Sequence, residues 1–267
     1  MKLSKGETAL ITGGATGIGL ALALELAQRG MNIIIASTNK QNLDASAGTI
    51  KAAGASDVLA IICDVADRAS VENLHNEAVA KFGFVDLVVS NAGVTTSGPL
   101  VDHRPQDWSW VYDVVLHGTT YIIQSFYPDM VKRKSGHIVL IGSQAGVAVD
   151  WVKQHGPYTS AKAAVMALGT ALRPEAAEHG VGVTNVIVAG TQTEIMKSER
   201  SRPERYGGEL KHCVERRPAR RIPTKDVAEM IVRGVEEDRP WVATHPDLKG
   251  TTESYFKQIL DSYDQWK

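Results

Sequence analysis

The stretch Ala9-Leu10-Ile11-Thr12-Gly13-Gly14-Ala15-Thr16-Gly17-Ile18-Gly19-Leu20 runs from a short apolar segment, through a glycine-rich turn, into an apolar helical segment that reaches Arg29. Glycines permit the tight turn and let a pyrophosphate approach backbone amides, and the N-terminus of the helix supplies positive potential there. A G-x-x-x-G-x-G between strand and helix therefore points to a bound dinucleotide, held by Gly13, Ala15, Thr16, Gly17, Ile18 and Gly19. Simple chain reversal is the other role open to these glycines.

Outward from this turn, Ile33-Ile34-Ile35, Leu59-Ala60-Ile61-Ile62, Leu87-Val88-Val89, Ile138-Val139-Leu140-Ile141 and Val183 to Val188 are further short apolar runs. Apolar side chains at successive positions are the pattern of strands buried on both faces. Between them lie Gln41 to Ala53, Ser70 to Phe82, Trp108 to Lys132 and Ser160 to His179, helix-length segments with Gly30, Gly54, Gly83, Gly136 and Gly180 as stop signals. This cadence predicts an α/β fold, a doubly wound parallel sheet of Rossmann type in three layers, as a single domain over residues 1–267. Pro174 is expected to kink or shorten its helix. An irregular lobe is expected at about 191–223, where Lys197 to Arg221 carries Pro203, Pro218 and Gly207-Gly208 and nine Lys or Arg against four Glu. That excess of positive charge serves an anionic substrate, an oligomer contact or merely a solvated face. Regular structure resumes with a helix capped by Thr224 and running to about Asp238, a strand around Trp241-Val242-Ala243 and a last helix from about Thr251.

The 267 residues are 43% apolar and 22% charged, as in soluble globular proteins with a large core. With 29 basic against 30 acidic side chains there is no overall reason to expect a nucleic-acid or anionic-membrane partner. The chain holds no run of about eighteen apolar residues, and Met1-Lys2 leads straight into patterned sequence, so a membrane or secreted protein is disfavoured and a cytoplasmic one expected. Cys63 and Cys213 fit neither a disulfide framework nor the spacing of a zinc site, and no metal is expected.

The glycine spacing of residues 13–19, with Cys63-Asp64-Val65 after the third strand and Asn91-Ala92-Gly93 after the fourth, resembles the short-chain dehydrogenase/reductase family over roughly residues 5 to 245. The resemblance implies an NAD(P)-dependent oxidoreductase interconverting a secondary alcohol and a ketone or other carbonyl compound. It also implies that Asp64, beside Val65, contacts adenine, that Asn91, Ala92 and Gly93 line the adenosine side and steady the sheet, and that the chain forms a homo-oligomer, a dimer or tetramer.

Such chemistry needs a proton donor or acceptor at the reacting oxygen and polarisation of that oxygen. Tyr158 and Lys162, four residues apart, share one face of a helix. A free phenol has a pKa near 10, and an ammonium about 4 Å away at a dielectric of about 20 interacts by roughly 4 kcal/mol, enough to bring it to about 7. Tyr263 and Lys267 repeat the spacing at the terminus, far from any nucleotide turn. Gly142-Ser143-Gln144-Ala145-Gly146 at the end of the fifth strand selects Tyr158 instead. By the resemblance, Ser143 holds the substrate oxygen, Tyr158 moves the proton, and Lys162 lowers the phenol's pKa and orients the ribose. One departure from the family is conspicuous: its central helix carries an asparagine that distorts the helix and helps hold a water leading to the lysine. In Asp113-Val114-Val115-Leu116-His117-Gly118 that place is Val115, which leaves only its backbone carbonyl for the water. A dinucleotide sensor without chemistry is the alternative that Val115 and Ala189 favour.

An acidic residue at the end of the second strand would select NAD through the ribose hydroxyls. Here Ala36 leads into Ser37-Thr38-Asn39-Lys40, which favours NADP, its 2′-phosphate met by Ser37, Thr38 and Lys40. NAD remains possible, with Lys40 a solvated helix-start residue. Ala189-Gly190-Thr191-Gln192-Thr193 lacks the family's proline, which predicts a freer loop. Gly190, Thr191 and Thr193 are placed at the nicotinamide, with Thr193 ahead of Thr191 for its amide. Val94 to Gly98, Val147 to His155 with Trp151, and the lobe are expected to wall a pocket for an apolar or aromatic carbonyl compound. His155 either touches that substrate or stays at the surface.

Overall fold

The structure of the chain, a computed structural model, describes residues 1–148, 153–209 and 221–264. Among these, β1 (Thr8–Thr12), β2 (Asn32–Ser37), β3 (Val58–Ile62), β4 (Leu87–Ser90), β5 (His137–Ile141), β6 (Gly182–Ile187) and β7 (Trp241–Ala243) form one parallel sheet in the order β3-β2-β1-β4-β5-β6-β7. Side chains alternate between two cores, as a period of two requires. Ala9, Ile11, Ile33, Ile35 and Val139 face α1 (Gly17–Ala27), α2 (Lys40–Ala52) and α7 (Thr224–Glu236). Leu10, Ile34, Ile138 and Leu140 face α3 (Arg68–Phe82), α4 (Pro105–Tyr112), α5 (Gly118–Arg133) and α6 (Gly156–Glu178). The fold is the doubly wound α/β sheet that the runs predict. Its strand order reverses between β1 and β4, which opens a crevice at the carboxyl ends of those strands.

The central helix departs from expectation. It is broken between α4 and α5 by a π-helical turn at Asp113–His117. A Cβ on Gly118 would lie 2.8 Å from Val65 Cγ2, so α5 starts in close contact with the loop after β3. Thr119 Oγ1 donates to the Val115 carbonyl at 2.7 Å and meets Ser90 Oγ at 2.9 Å. Side-chain bonds of this kind hold open a widened turn, which recurs at functional sites. The distortion therefore stands here with a valine at position 115.

Pro174 lies inside α6 without shortening it. The last turns are held by buried Leu172 and Ala176 and by Arg173, which donates to the Val183 carbonyl and pairs with Asp238 at 3.1 Å. At α7, Pro223 occupies the cap position and Thr224 is the first helical residue. A final helix, α8 (Lys249–Ser262), begins at Lys249 and buries none of its residues. In the lobe the described part forms short 3-10 turns at Ile195–Ser201 and Glu204–Tyr206, whereas Cys213, Pro218 and Trp151 lie outside the described residues. No helix among the described residues is long and apolar enough to cross a membrane.

Candidate active site

In the turn between β1 and α1, Gly13 and Gly17 take φ of +63° and +58°, the left-handed region that favours glycine. Gly19 is a close approach, for a Cβ there would stand 2.7 Å from Asn91 Nδ2. Asn91 Nδ2 donates to the carbonyls of Thr12 at 2.8 Å and Gly13 at 3.3 Å. Thr12 Oγ1 accepts from Asn91 N at 2.9 Å and Ala92 N at 3.0 Å. Asn91 and Ala92 thus staple the end of β4 to the end of β1. Ser46 Oγ on α2 donates to the Ala15 carbonyl at 2.8 Å. Thr16 caps α1 without a side-chain bond, which leaves the first amides of the helix to a ligand or solvent. Left-handed glycines, a close-approach glycine and a helix N-terminus in one crevice fit the pyrophosphate of a dinucleotide.

Around this turn stand the other expected cofactor residues. Asp64 Oδ1 accepts from Ala66 N at 3.0 Å and its Oδ2 pairs with Arg205 at 2.7 Å. Ser37 Oγ accepts from Asn39 N at 3.3 Å, Asn39 caps α2, and exposed Lys40 pairs with Asp44 at 2.8 Å.

Ser143, Tyr158 and Lys162 converge beyond the end of β5. Ser143 caps the short turn Gln144–Gly146, its Oγ accepting from Ala145 N at 3.1 Å, and it is the hydrogen-bond partner of the Tyr158 phenol. Gly146 permits the approach, because a Cβ there would lie 2.6 Å from the Lys162 carbonyl carbon. Lys162 is buried and its Nζ donates to the Ile141 carbonyl at 2.6 Å, 5.8 Å from the centroid of the Tyr158 ring. Burial pushes the Lys162 ammonium from 10.5 down to about 8. Burial also holds the Tyr158 phenol above its ordinary value, against the opposing pull of the Ser143 bond. The expected depression of the phenol is thus corrected: the ammonium is turned to the Ile141 carbonyl, and desolvation is the larger influence on both groups. Tyr263, by contrast, is exposed at the end of α8, and Lys267 lies outside the described residues.

Val115 is buried, and it shares with this lysine the surroundings of Gly93. From the position of a Cβ on Gly93, Lys162 Nζ lies at 3.7 Å and Val115 Cγ2 at 4.0 Å. An isopropyl group stands where the resemblance has an amide, and one lone pair of the Val115 carbonyl is already taken by Thr119.

The loop after β6 is pinned rather than freer. Ile222 N donates to the Gly190 carbonyl at 3.0 Å and Gln192 N to the Ile222 carbonyl at 3.0 Å, closing a parallel bridge between Thr191 and Ile222. Buried His245 donates from Nε2 to the Gly190 carbonyl at 2.9 Å, with Nδ1 2.8 Å from Thr244 Oγ1. These bonds replace the constraint of the missing proline. Thr191 Oγ1 turns back to the Ala189 carbonyl at 3.1 Å, whereas Thr193 Cγ2 lies 3.4 Å from a Cβ position on Gly17. His155 is buried, its Nδ1 3.1 Å from Thr95 Oγ1, and burial holds its imidazole below the ordinary value, so a surface histidine is excluded.

Over its described part the basic lobe is a solvated face at Lys197, Arg200 and Arg205, each paired with a carboxylate, and is buried only at Arg202. Arg202 is fully buried, paired with Asp107 at 2.5 Å and Glu199 at 2.6 Å over the ring of Trp110. Lys197 and Arg200 pair with Glu194. Tyr206 Oη donates to Asp113 Oδ2 at 2.8 Å. His245 and Arg202 escape sequence reasoning because each meets a distant segment, bonding across 55 and 95 residues.

A model of the short chain dehydrogenase family matches residues 7–204. The C alpha-dehydrogenase of Sphingobium sp. (strain SYK-6) is 28% identical over 274 residues, covering 98% of this chain and 88% of that protein. A short chain dehydrogenase/reductase from Burkholderia phymatum, solved in complex with NAD, has a TM-score of 0.89 and 30% identity and covers 98% of this chain and 97% of its own. A short-chain dehydrogenase from Sphingobium yanoikuyae in complex with NADPH has a TM-score of 0.76 and 25% identity, covering 96% and 95%. With its seven-stranded doubly wound sheet and a family match over well more than half its length, the chain belongs to the short-chain dehydrogenase family and is an oxidoreductase of that family.

Proposed function

We propose that the chain is an NAD(P)-dependent enzyme that interconverts a secondary alcohol and a ketone or other carbonyl compound. The observation that carries this reading is the convergence of Ser143, Tyr158 and Lys162 beyond β5. Bound nicotinamide supplies or accepts the hydride. In the reductive direction the Tyr158 hydroxyl gives its proton to the substrate oxygen while Ser143 Oγ donates a hydrogen bond to the same oxygen and polarises it. The raised phenol keeps that proton at neutral pH until the oxygen gains charge. The Lys162 ammonium, turned to the Ile141 carbonyl, holds the cofactor ribose. Gly13 to Gly19 hold the pyrophosphate, Asp64 and Val65 the adenine, Asn91, Ala92 and Gly93 the adenosine side, and Gly190, Thr191 and Thr193 the nicotinamide. Thr95 and His155, bonded to each other, belong to the segments read as walling the substrate pocket, and the chain works as a homo-oligomer, for which exposed Phe256, Ile259 and Leu260 of α8 offer an apolar face.

A panel of apolar and aromatic ketones and secondary alcohols, followed at the reduced-nicotinamide absorbance with both cofactors, tests the reading. Turnover of at least one carbonyl class is expected. Cofactor binding with no turnover across the panel would favour a sensor instead.

NADP is the preferred cofactor, because no carboxylate at the end of β2 repels a 2′-phosphate and Ser37, Thr38 and Lys40 stand there. Lys40→Ala is expected to weaken NADPH about fivefold and leave NADH unchanged, since one exposed charge contact with a phosphate is worth about 1 kcal/mol. Equal affinities of the wild-type chain for NADPH and NADH would remove the preference.

Lysine is charged below its pKa, so a rate that needs the Lys162 ammonium falls as pH rises through about 8. Val115→Asn places an amide beside the amine, favours its charged form and moves this alkaline limb to higher pH. A limb that stays in place would show that the isopropyl group does not set the lysine's charge.

A further inference from the structure

The lobe after β6 touches the dinucleotide crevice at two places. At its start the Thr193 side chain lies against Gly17 of the β1–α1 turn. Further along, Arg205 Nη2 reaches Asp64 Oδ2 at 2.7 Å, across 141 residues of sequence, at the far end of the same crevice beyond β3. Between these contacts the lobe is anchored by the Arg202–Asp107 pair on α4, and next to Arg205 by the bond from Tyr206 to Asp113. Arg205 is therefore fixed from two sides, by the Asp64 carboxylate and by the Tyr206 ring, 4.9 Å from its guanidinium carbon. Its side chain is still 48% exposed, which leaves guanidinium surface open to a ligand.

Resting on the reading in which Asp64 accepts from the adenine of the cofactor, we infer that Arg205 is a cofactor-binding residue, contributed by the substrate lobe to the adenine half of the dinucleotide. The two Asp64 oxygens offer about four acceptor positions, of which Ala66 N and Arg205 use two, so an adenine amino group and the guanidinium share the carboxylate. A planar guanidinium already oriented by a carboxylate loses little freedom when it stacks on an aromatic base. Lys40, at the start of α2, is by contrast an exposed point charge paired within its own helix to Asp44. The arrangement makes the lobe respond to the far end of the cofactor: an adenine on Asp64 and Arg205 holds in place the same segment that carries Arg202 and Tyr206.

Equilibrium titration of the full chain with ADP-ribose, and separately with reduced nicotinamide mononucleotide, divides the cofactor into its halves. Arg205→Gln is expected to weaken ADP-ribose about tenfold, the size of one stacked cationic contact, and to leave the mononucleotide unchanged. Arg200→Gln, on the same lobe but paired with Glu194, is expected to change neither. Unaltered ADP-ribose affinity in Arg205→Gln overturns the inference. So does tighter binding, which would make Arg205 a competitor for Asp64, and so does an equal loss for both probes, which would mark collapse of the lobe. A wild-type chain that binds no ADP-ribose overturns the dinucleotide reading itself, and the inference with it.

Discussion

Tyr158→Phe is expected to lower kcat by about 10³-fold, near 4 kcal/mol, with the melting temperature almost unmoved. The substitution deletes one oxygen from a half-buried ring on α6 and leaves the ring's packing in place. Ser143 keeps its bond from Ala145 N, and Lys162 keeps its bond to the Ile141 carbonyl. The variant should therefore bind cofactor as the wild type does and lose only the proton transfer. Steady-state rates at the reduced-nicotinamide absorbance, with a thermal melt beside them, separate these two effects. A tenfold loss or less would place the proton elsewhere.

Arg202→Met is expected to cost about 3 kcal/mol of stability, a fall of about 8 °C in Tm for a chain of this size. Arg202 and Asp107 are both buried, and removing one charge of a buried pair leaves the other without its partner. The lower end of the usual range applies because Asp107 keeps Arg104, which bonds it at 3.1 Å through Nη2 and at 2.8 Å through its backbone N–H. Burial alone would raise the Asp107 carboxyl, but the bonds from Arg104 and Arg202 hold it below its ordinary value. A carboxyl depressed in this way stabilises the folded chain above its unfolded pKa, near 3.9, and loses that contribution only as pH falls through the lower folded value. Loss of Arg202 should thus loosen the lobe at neutral pH and make the acid-side decline shallower, because the Asp107 carboxyl is then less depressed. Thermal melts at neutral and acid pH, with limited proteolysis of the lobe, check both. An unchanged Tm would show that the pair does not anchor it.

Features written in local pattern were legible from residue order. The apolar runs of β1, β2, β4 and β5 are continuous because both faces of the sheet are covered, and the turn at Gly13 to Gly19 shows its backbone demands in its glycines. The positions of Ser143, Tyr158 and Lys162 follow from a strand end and one helix face. Their electrostatics do not, since the arithmetic placed an ammonium beside the phenol, whereas the amine faces the Ile141 carbonyl and burial acts on both. Val115 teaches the same lesson in reverse. The substitution is visible in the sequence, but the widened turn persists because Gly118 and Thr119 shape it through Val65 and the Val115 carbonyl itself. The pinning of Gly190 by His245, and of the lobe by Arg202, depends on pairings between distant segments that no periodicity records.

Single-turnover mixing tests the account most directly, because it isolates the chemical step from release of product. Wild type and Tyr158→Phe, each loaded with the same occupancy of reduced nicotinamide cofactor, are mixed with a ketone that the wild type accepts. The account predicts a fast, full-amplitude fall in absorbance for the wild type and a nearly flat trace for the variant. Equal rates in the two would contradict it.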